Sequence, residues 1–119
     1  MARNPSPEDF LPLQPSVFHI LVALADQDRH GYSIMQDVAA RTDNQRRLSP
    51  GTLYGSIKRM LAQGLIEELR DAPNPNDDDE RRRYYRLTRF GRRVVAADMA
   101  RLESVLRQAR AAGLAPGRG

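Results

Sequence analysis

"LSPGTLYGSIKRMLAQGLIEE", Leu48–Glu68, decides how the rest of the chain is read. Ser49 can act as N-cap, accepting a backbone N–H bond, and Pro50 suits the first helical position, where its missing N–H would go unpaired anyway. Gly64 is placed to end the helix. Leu53, Ile57, Met60 and Leu61 recur at i, i+4, i+7 and i+8, which defines them as the inward stripe. Thr52, Gly55, Ser56 and Arg59 are left outside, with Tyr54 and Lys58 beside them. A solvated helix face normally mixes both signs of charge, yet no acid occurs between Ser49 and Ile66. The spacing therefore predicts a helix whose outer side is shaped to meet something anionic.

Downstream, residues 65–70 read as a short strand, followed by the turn-rich "DAPNPNDDDE" and a returning strand in "RRRYYRLT". In the return, Tyr85 and Leu87 fall on one face and Tyr84 and Arg86 on the other, so the pair forms a β-hairpin. Thr88 can cap a last helix running from Arg89 to about Ala111, before Gly113, Pro116 and Gly117 loosen the end. Val95, Met99, Leu102, Leu106 and Ala109 follow the 4-3-4-3 spacing of a coiled-coil seam, with Arg92, Arg93, Asp98 and Arg101 among the residues covering the rest. Two readings of this helix stand side by side: packing on its own domain, or pairing with a second subunit.

Upstream, Pro15 opens a first helix that Val17, Phe18, Ile20, Leu21, Leu24 and Ala25 make apolar on most sides, a pattern calling for more cover than one domain core supplies. "DQDRHG" breaks it, and a second helix follows from Gly31 to Arg41 with Ile34, Met35 and Val38 on one face. Residues 1–12, with three prolines, are expected to form a flexible arm.

A chain of 119 residues fits one domain that buries roughly two thirds of its unfolded surface. Its net charge of +4 favours a polyanionic partner. Lys58 is the only lysine, and the arginine excess fits bidentate phosphate and guanine recognition or genome composition equally. The absence of cysteine excludes disulfides, thiolate metal sites and cysteine nucleophiles and fits a reducing, cytoplasmic setting. The apolar run Val17 to Ala25 is far shorter than the roughly 18 residues of a membrane span, and "MARNPSPEDFLP" has no signal-peptide pattern. No membrane partner is expected. The two histidines, His19 and His30, lie on different elements, so no metal site is expected, and Asp77 to Glu80 read as an exposed acidic loop. No phosphate loop, dinucleotide-binding glycine pattern or nucleophile elbow occurs, so neither cofactor nor enzymatic activity is expected.

Three helices, a hairpin and a last helix follow in the order of a winged helix-turn-helix, whose third helix enters the DNA major groove. The fold expected is mainly α (α+β), with a two-stranded wing and a C-terminal dimerisation helix: arm 1–12, DNA-binding domain 13–88, dimerisation helix 89–112 and flexible tail 113–119.

"HGYSIMQDV", the quoted stretch and "RRRYYRLTRFGRRVV" occur in the order and spacing of the PadR-like transcriptional regulators, a family this sequence resembles from Leu13 to Arg110. With a single helix after the wing it is similar to the short branch, which implies a homodimeric repressor that binds a pseudo-palindromic double-stranded DNA operator and is released by a small molecule or stress signal. Carried over position by position, the resemblance implies DNA contacts from Ser49, Pro50, Gly51, Thr52, Tyr54, Ser56, Lys58 and Arg59, and from the wing residues Arg81, Arg82 and Arg83. It also matches Gly31 to a backbone-driven glycine and Tyr32 to a packing residue. The acidic wing tip departs from what phosphates tolerate: either it points away while the arginines touch DNA, or it neutralises them in the free protein. In a dimer, the first and last helices of both subunits would enclose an apolar effector pocket lined by Phe18, Leu21, Val95, Met99, Leu102 and Leu106. A protein-interaction module without specific DNA binding is the competing function.

Overall fold

The computed structural model describes residues 4–69 and 83–117. After a short 3-10 helix, Pro7–Phe10, come α1 (Pro15–Asp26), β1 (Arg29–His30), α2 (Gly31–Arg41), α3 (Pro50–Ala62), β2 (Ile66–Leu69), β3 (Tyr84–Leu87) and α4 (Arg89–Ala111). The fold is mainly helical α+β, as the sequence implies, but the sheet has three strands in the order β1-β3-β2. Ile66 faces Leu87 and Leu69 faces Tyr84 in the antiparallel hairpin, while Arg29 faces Tyr85 on the other side. The expected two-stranded wing is the β2–β3 hairpin, and β1, a strand of two residues too short to show a period of its own, adds a third strand to the sheet.

The core gathers Ile20, Leu21 and Leu24 of α1, Ile34 and Val38 of α2, Leu53, Ile57 and Met60 of α3, Tyr85 and Leu87 of β3, and Val94 of α4. α1 is largely covered within its own chain, against the expectation that it needs outside cover, because α2, α4 and β3 all pack on it. Leu61 is 36% exposed, so it leaves the inward stripe of α3, and Ser56 takes its place at 3%.

Within the flexible arm expected over residues 1–12, Pro7–Phe10 is instead ordered. Pro7 is buried and the short 3-10 helix packs on α4, where the Phe10 and Phe90 rings meet edge to face at 5.5 Å. Proline breaks a helix only in its interior, where the N–H it lacks is needed; at the start of a helical turn its fixed φ is an advantage.

The start of α4 is seated on the Gly64 and Leu65 carbonyls. Thr88 N–H donates to Leu65 O at 3.1 Å, the Thr88 hydroxyl donates to Gly64 O at 2.7 Å with Leu65 O as a second, longer acceptor at 3.0 Å, and the same hydroxyl caps α4 by accepting from Gly91 N–H at 2.9 Å. The first half of α4 is buried through Gly91, Val94, Val95 and Asp98. Asp98, read as part of the solvated covering, is 1% exposed, with its carboxylate taking a 2.7 Å bond from Arg101 Nε. Beyond it the helix leaves the body, and Met99, Leu102, Val105 and Leu106 are each 43–51% exposed. The radius of gyration is 16.4 Å, against about 13.5 Å for a compact chain of this length.

Candidate nucleic-acid interface

α3 begins as the sequence requires. Ser49 Oγ accepts the Thr52 N–H at 3.2 Å and donates to Thr52 Oγ1 at 3.0 Å. The Ser49 hydroxyl is thereby used within the cap. The helix ends in a Schellman closure: Gly64 takes φ +74°, Leu65 N–H donates to Met60 O at 3.0 Å and Gly64 N–H to Leu61 O at 3.2 Å.

Between these ends the outer surface is Gly51, Thr52, Gly55, Lys58, Arg59 and Ala62, all exposed. Small residues alternate with the two cations, so a partner backbone could approach closely and still meet positive charge. Neither Lys58 nor Arg59 pairs with an acid among the described residues. Ser49 and Pro50 are exposed at the head of this surface, but Ser56 is not part of it: its position a turn from Leu53 and beside Ile57 and Met60 turns it inward.

Tyr54 is 51% exposed. Its ring leans over the start of α2, where a Cβ on Gly31 would lie 2.5 Å from the tyrosine hydroxyl oxygen. A side chain at Gly31 would have to displace the end of the exposed Tyr54 ring. Tyr32, expected to pack, is instead 56% exposed. His30 caps α2 by accepting the Ser33 N–H on Nδ1 at 3.2 Å and stands edge to face on Tyr84 at 5.3 Å. No cluster of metal-ligating side chains occurs among the described residues.

At the wing, Arg83 is 74% exposed with Nε 3.4 Å from Glu68, a loose pair that leaves it available to a stronger anion. Arg81, Arg82 and the acidic tip lie outside the described residues. Arg86 is taken by Asp28 at 3.2 Å, a hydrogen bond that raises its already high pKa. Burial, together with the charge of Glu68, pushes the Tyr85 phenol up and keeps it neutral in the sheet.

Sequence reasoning missed the residue that fixes the angle between α1 and α2. Arg29 is 11% exposed, 2.9 Å from Asp26 and 3.1 Å from Asp37, and donates to Ala23 O and Ser33 Oγ, both at 3.0 Å. It lay in a stretch that reads only as a helix break, and its partners are set by the turn.

Of the residues expected to line a pocket in the dimer, Leu21 (0% exposed) and Val95 (8%) are buried in the core of the single chain. Phe18 is partly buried, while Met99, Leu102 and Leu106 stay exposed on α4, joined by Val105. No helix among the described residues is long and apolar enough to cross a membrane.

Comparison with known proteins gives a consistent result. The model of the Transcriptional regulator PadR-like family matches residues 20–97. A transcriptional regulator of Mycobacterium tuberculosis is 36% identical over 91 residues, covering 76% of this chain and 78% of that protein. A PadR family transcription regulator of Clostridium difficile superposes with a TM-score of 0.67 at 25% identity, over 82% of this chain and 96% of the other. A transcriptional regulator of Clostridium thermocellum shares the fold with the same score at 24% identity, over 80% and 86%.

Proposed function

The chain belongs to the PadR-like family of transcriptional regulators, and we propose that it acts as a homodimeric repressor that reads a pseudo-palindromic DNA site with α3. The acid-free outer face of α3, carrying two cations without an acidic partner among the described residues, is the observation that supports this reading. Gly51 and Gly55 let the helix backbone approach base edges, Lys58 and Arg59 meet phosphate or guanine, and Thr52 with the Gly51 N–H offers donors to a phosphate at the helix start. Ser49 contributes through the cap, Pro50 through the fixed entry of the chain and Tyr54 through its exposed hydroxyl. Arg83, with Arg81 and Arg82 before it, would touch the flanking backbone.

Dimerisation is assigned to the outer half of α4, where four large apolar residues within about two turns stay 43–51% exposed among the described residues. A twin α4 would cover them and set two copies of α3 on one face of the duplex, with half-sites about 10 base pairs or a multiple apart. A small-molecule or stress signal that alters the dimer would then release DNA. The activity is binding, with no catalytic step.

Nuclease footprinting of the full chain on the DNA flanking its own gene tests the proposal. A discrete, symmetric protected site is expected, weakened by about 1–3 kcal/mol in Arg59→Ala if the arginine touches a base. Protection of no discrete site would leave a protein-interaction module as the better account.

A further inference from the structure

Arg29, Arg41, Arg86 and Arg101 each pair with an acid: Arg29 with Asp26 and Asp37, Arg41 with Asp37, Arg86 with Asp28 and Arg101 with Asp98. Arg89, Arg92, Arg93, Arg107 and Arg110 of α4 do not. All are exposed, and none pairs with an acid among the described residues. By the helical period they fall within an arc of roughly 100° on one side of the helix, over a length of about 30 Å. Ala96 and Ala100 occupy the middle of the same arc, and Glu103 is its one acid. Gly91, Val94, Val95 and Asp98, which dock α4 on the body, lie on the far side. A dimer paired through Met99, Leu102, Val105 and Leu106 therefore leaves the arginine arc outside.

The arrangement works against the helix that carries it. Arg89, Arg92 and Arg93 stand i, i+3 and i+4 apart, where like charges repel, and the first turn, where the helix dipole favours acids, holds none. A polyanion laid along the arc relieves both effects.

The residues of the arc select the kind of polyanion. No aromatic or large aliphatic side chain is present to anchor a protein surface or to stack the bases of a single strand. A helix lying on a membrane needs its apolar side for the lipid, and here the core and the proposed dimer use that side. A duplex backbone needs neither anchor nor apolar face: release of counterions from its phosphates carries the binding, and an arc of about 30 Å spans about nine base pairs. The two alanines let the backbone lie close. α4 packs on α1 and the 3-10 helix, whereas α3 packs on α2 and β2, so the arc is separate from the reading face.

We propose that the outer face of α4 is a second DNA surface, indifferent to sequence, that takes one duplex segment while α3 holds another. The protein then bridges two segments of DNA, an inference that rests on the reading role of α3 only for the first of them.

Short mixed-sequence duplexes, half carrying a donor and half an acceptor fluorophore, are the probe, mixed with the full chain at low salt. Energy transfer between duplexes is expected. The triple variant Arg92→Gln, Arg93→Gln, Arg107→Gln keeps good helix formers; it is expected to sediment as the wild type, to keep binding duplex through α3 and to lose the transfer. The matching triple lysine variant, which keeps the charge, is expected to restore it. With Lys58→Ala and Arg59→Ala silencing α3, the remaining duplex affinity is expected to fall about tenfold when the glutamines are added, with a shallower salt dependence. Transfer undiminished by the glutamines, or unrestored by the lysines, overturns the proposal. So does a loss of salt dependence in the glutamine variant where the wild type gives no transfer, which would place the arc on the same duplex as α3. Arc-dependent binding of phosphatidylserine vesicles without arc-dependent binding of duplex overturns it in favour of a membrane. Arc-dependent duplex binding by a chain whose site preference is untouched by Lys58→Ala and Arg59→Ala upholds the α4 surface and overturns the reading role of α3.

Discussion

A Cβ added at Gly91 would lie 2.1 Å from the Leu65 carbonyl oxygen and 2.7 Å from Leu87 Cδ1. An alanine gains up to about 1 kcal/mol of helix propensity over glycine, but a clash with a carbonyl that already accepts from Thr88 cannot be relieved by a rotamer change. Overpacking of this kind costs about 1–3 kcal/mol, and here the backbone itself must move, so the loss outweighs the gain. Gly91→Ala should therefore lower the unfolding free energy by about 2 kcal/mol in urea titration; an unchanged or raised midpoint would mean that α4 is not seated on Leu65. The need for this glycine was invisible along the chain, since its neighbour belongs to the turn after α3. Ser56 shows the same limit from the other side. Resemblance carried it to the DNA-facing set by position, yet at a turn's distance from Leu53 the helical period puts it inward, where only 3% of it is exposed.

Elements whose ends are written in local chemistry were the ones legible in the sequence. Ser49, Pro50 and Gly64 bound α3, Thr88 starts α4, and Gly113 ends it at φ +91° with Leu114 N–H donating to Ala109 O at 3.0 Å. The hairpin face of Tyr85 and Leu87 was legible too, because alternation needs only one strand. β1 was not, since its existence depends on pairing with Tyr84 and Tyr85 far along the chain. The cap of α2 also escaped notice, because His30 fills a place usually held by Ser, Thr, Asp or Asn. Removing it in His30→Ala should cost about 1 kcal/mol in thermal unfolding, and His30→Asn should restore most of that. Equal losses in both variants would assign the stabilisation to the contact with Tyr84 instead.

Across the whole molecule, two properties follow from how the elements meet. His19 on α1 has a pKa lowered by burial and by the charge of Arg46. The folded state therefore favours the neutral imidazole, and the associated stability is complete above about pH 6.5 and lost as the pH falls from there through the folded pKa. The wild-type chain should lose more thermal stability than His19→Gln between pH 7 and pH 5 (roughly the histidine range); parallel profiles would remove His19 from the account. The second property is the uncovered half of α4, which extends about 20 Å past Asp98. Its apolar spacing was plain in the sequence, but which half serves the core and which half is free was decided only when the start of α4 docked on α1 and the 3-10 helix. Leu102→Glu changes a side chain that is 43% exposed in one chain, so it should leave each chain folded while converting a sedimenting dimer to monomer and lowering operator affinity about 100-fold through lost bivalency. A variant still sedimenting as a dimer would move the interface elsewhere.

Selection of bound sites from random duplex DNA by the full chain, run in parallel with Lys58→Ala and Arg59→Ala, tests most directly whether α3 reads sequence in a paired assembly. A two-fold symmetric motif is expected, with an affinity that falls steeply with salt and base preference degraded in at least one variant. A pool that emerges without an enriched motif, or a motif unaltered by either substitution, would contradict it.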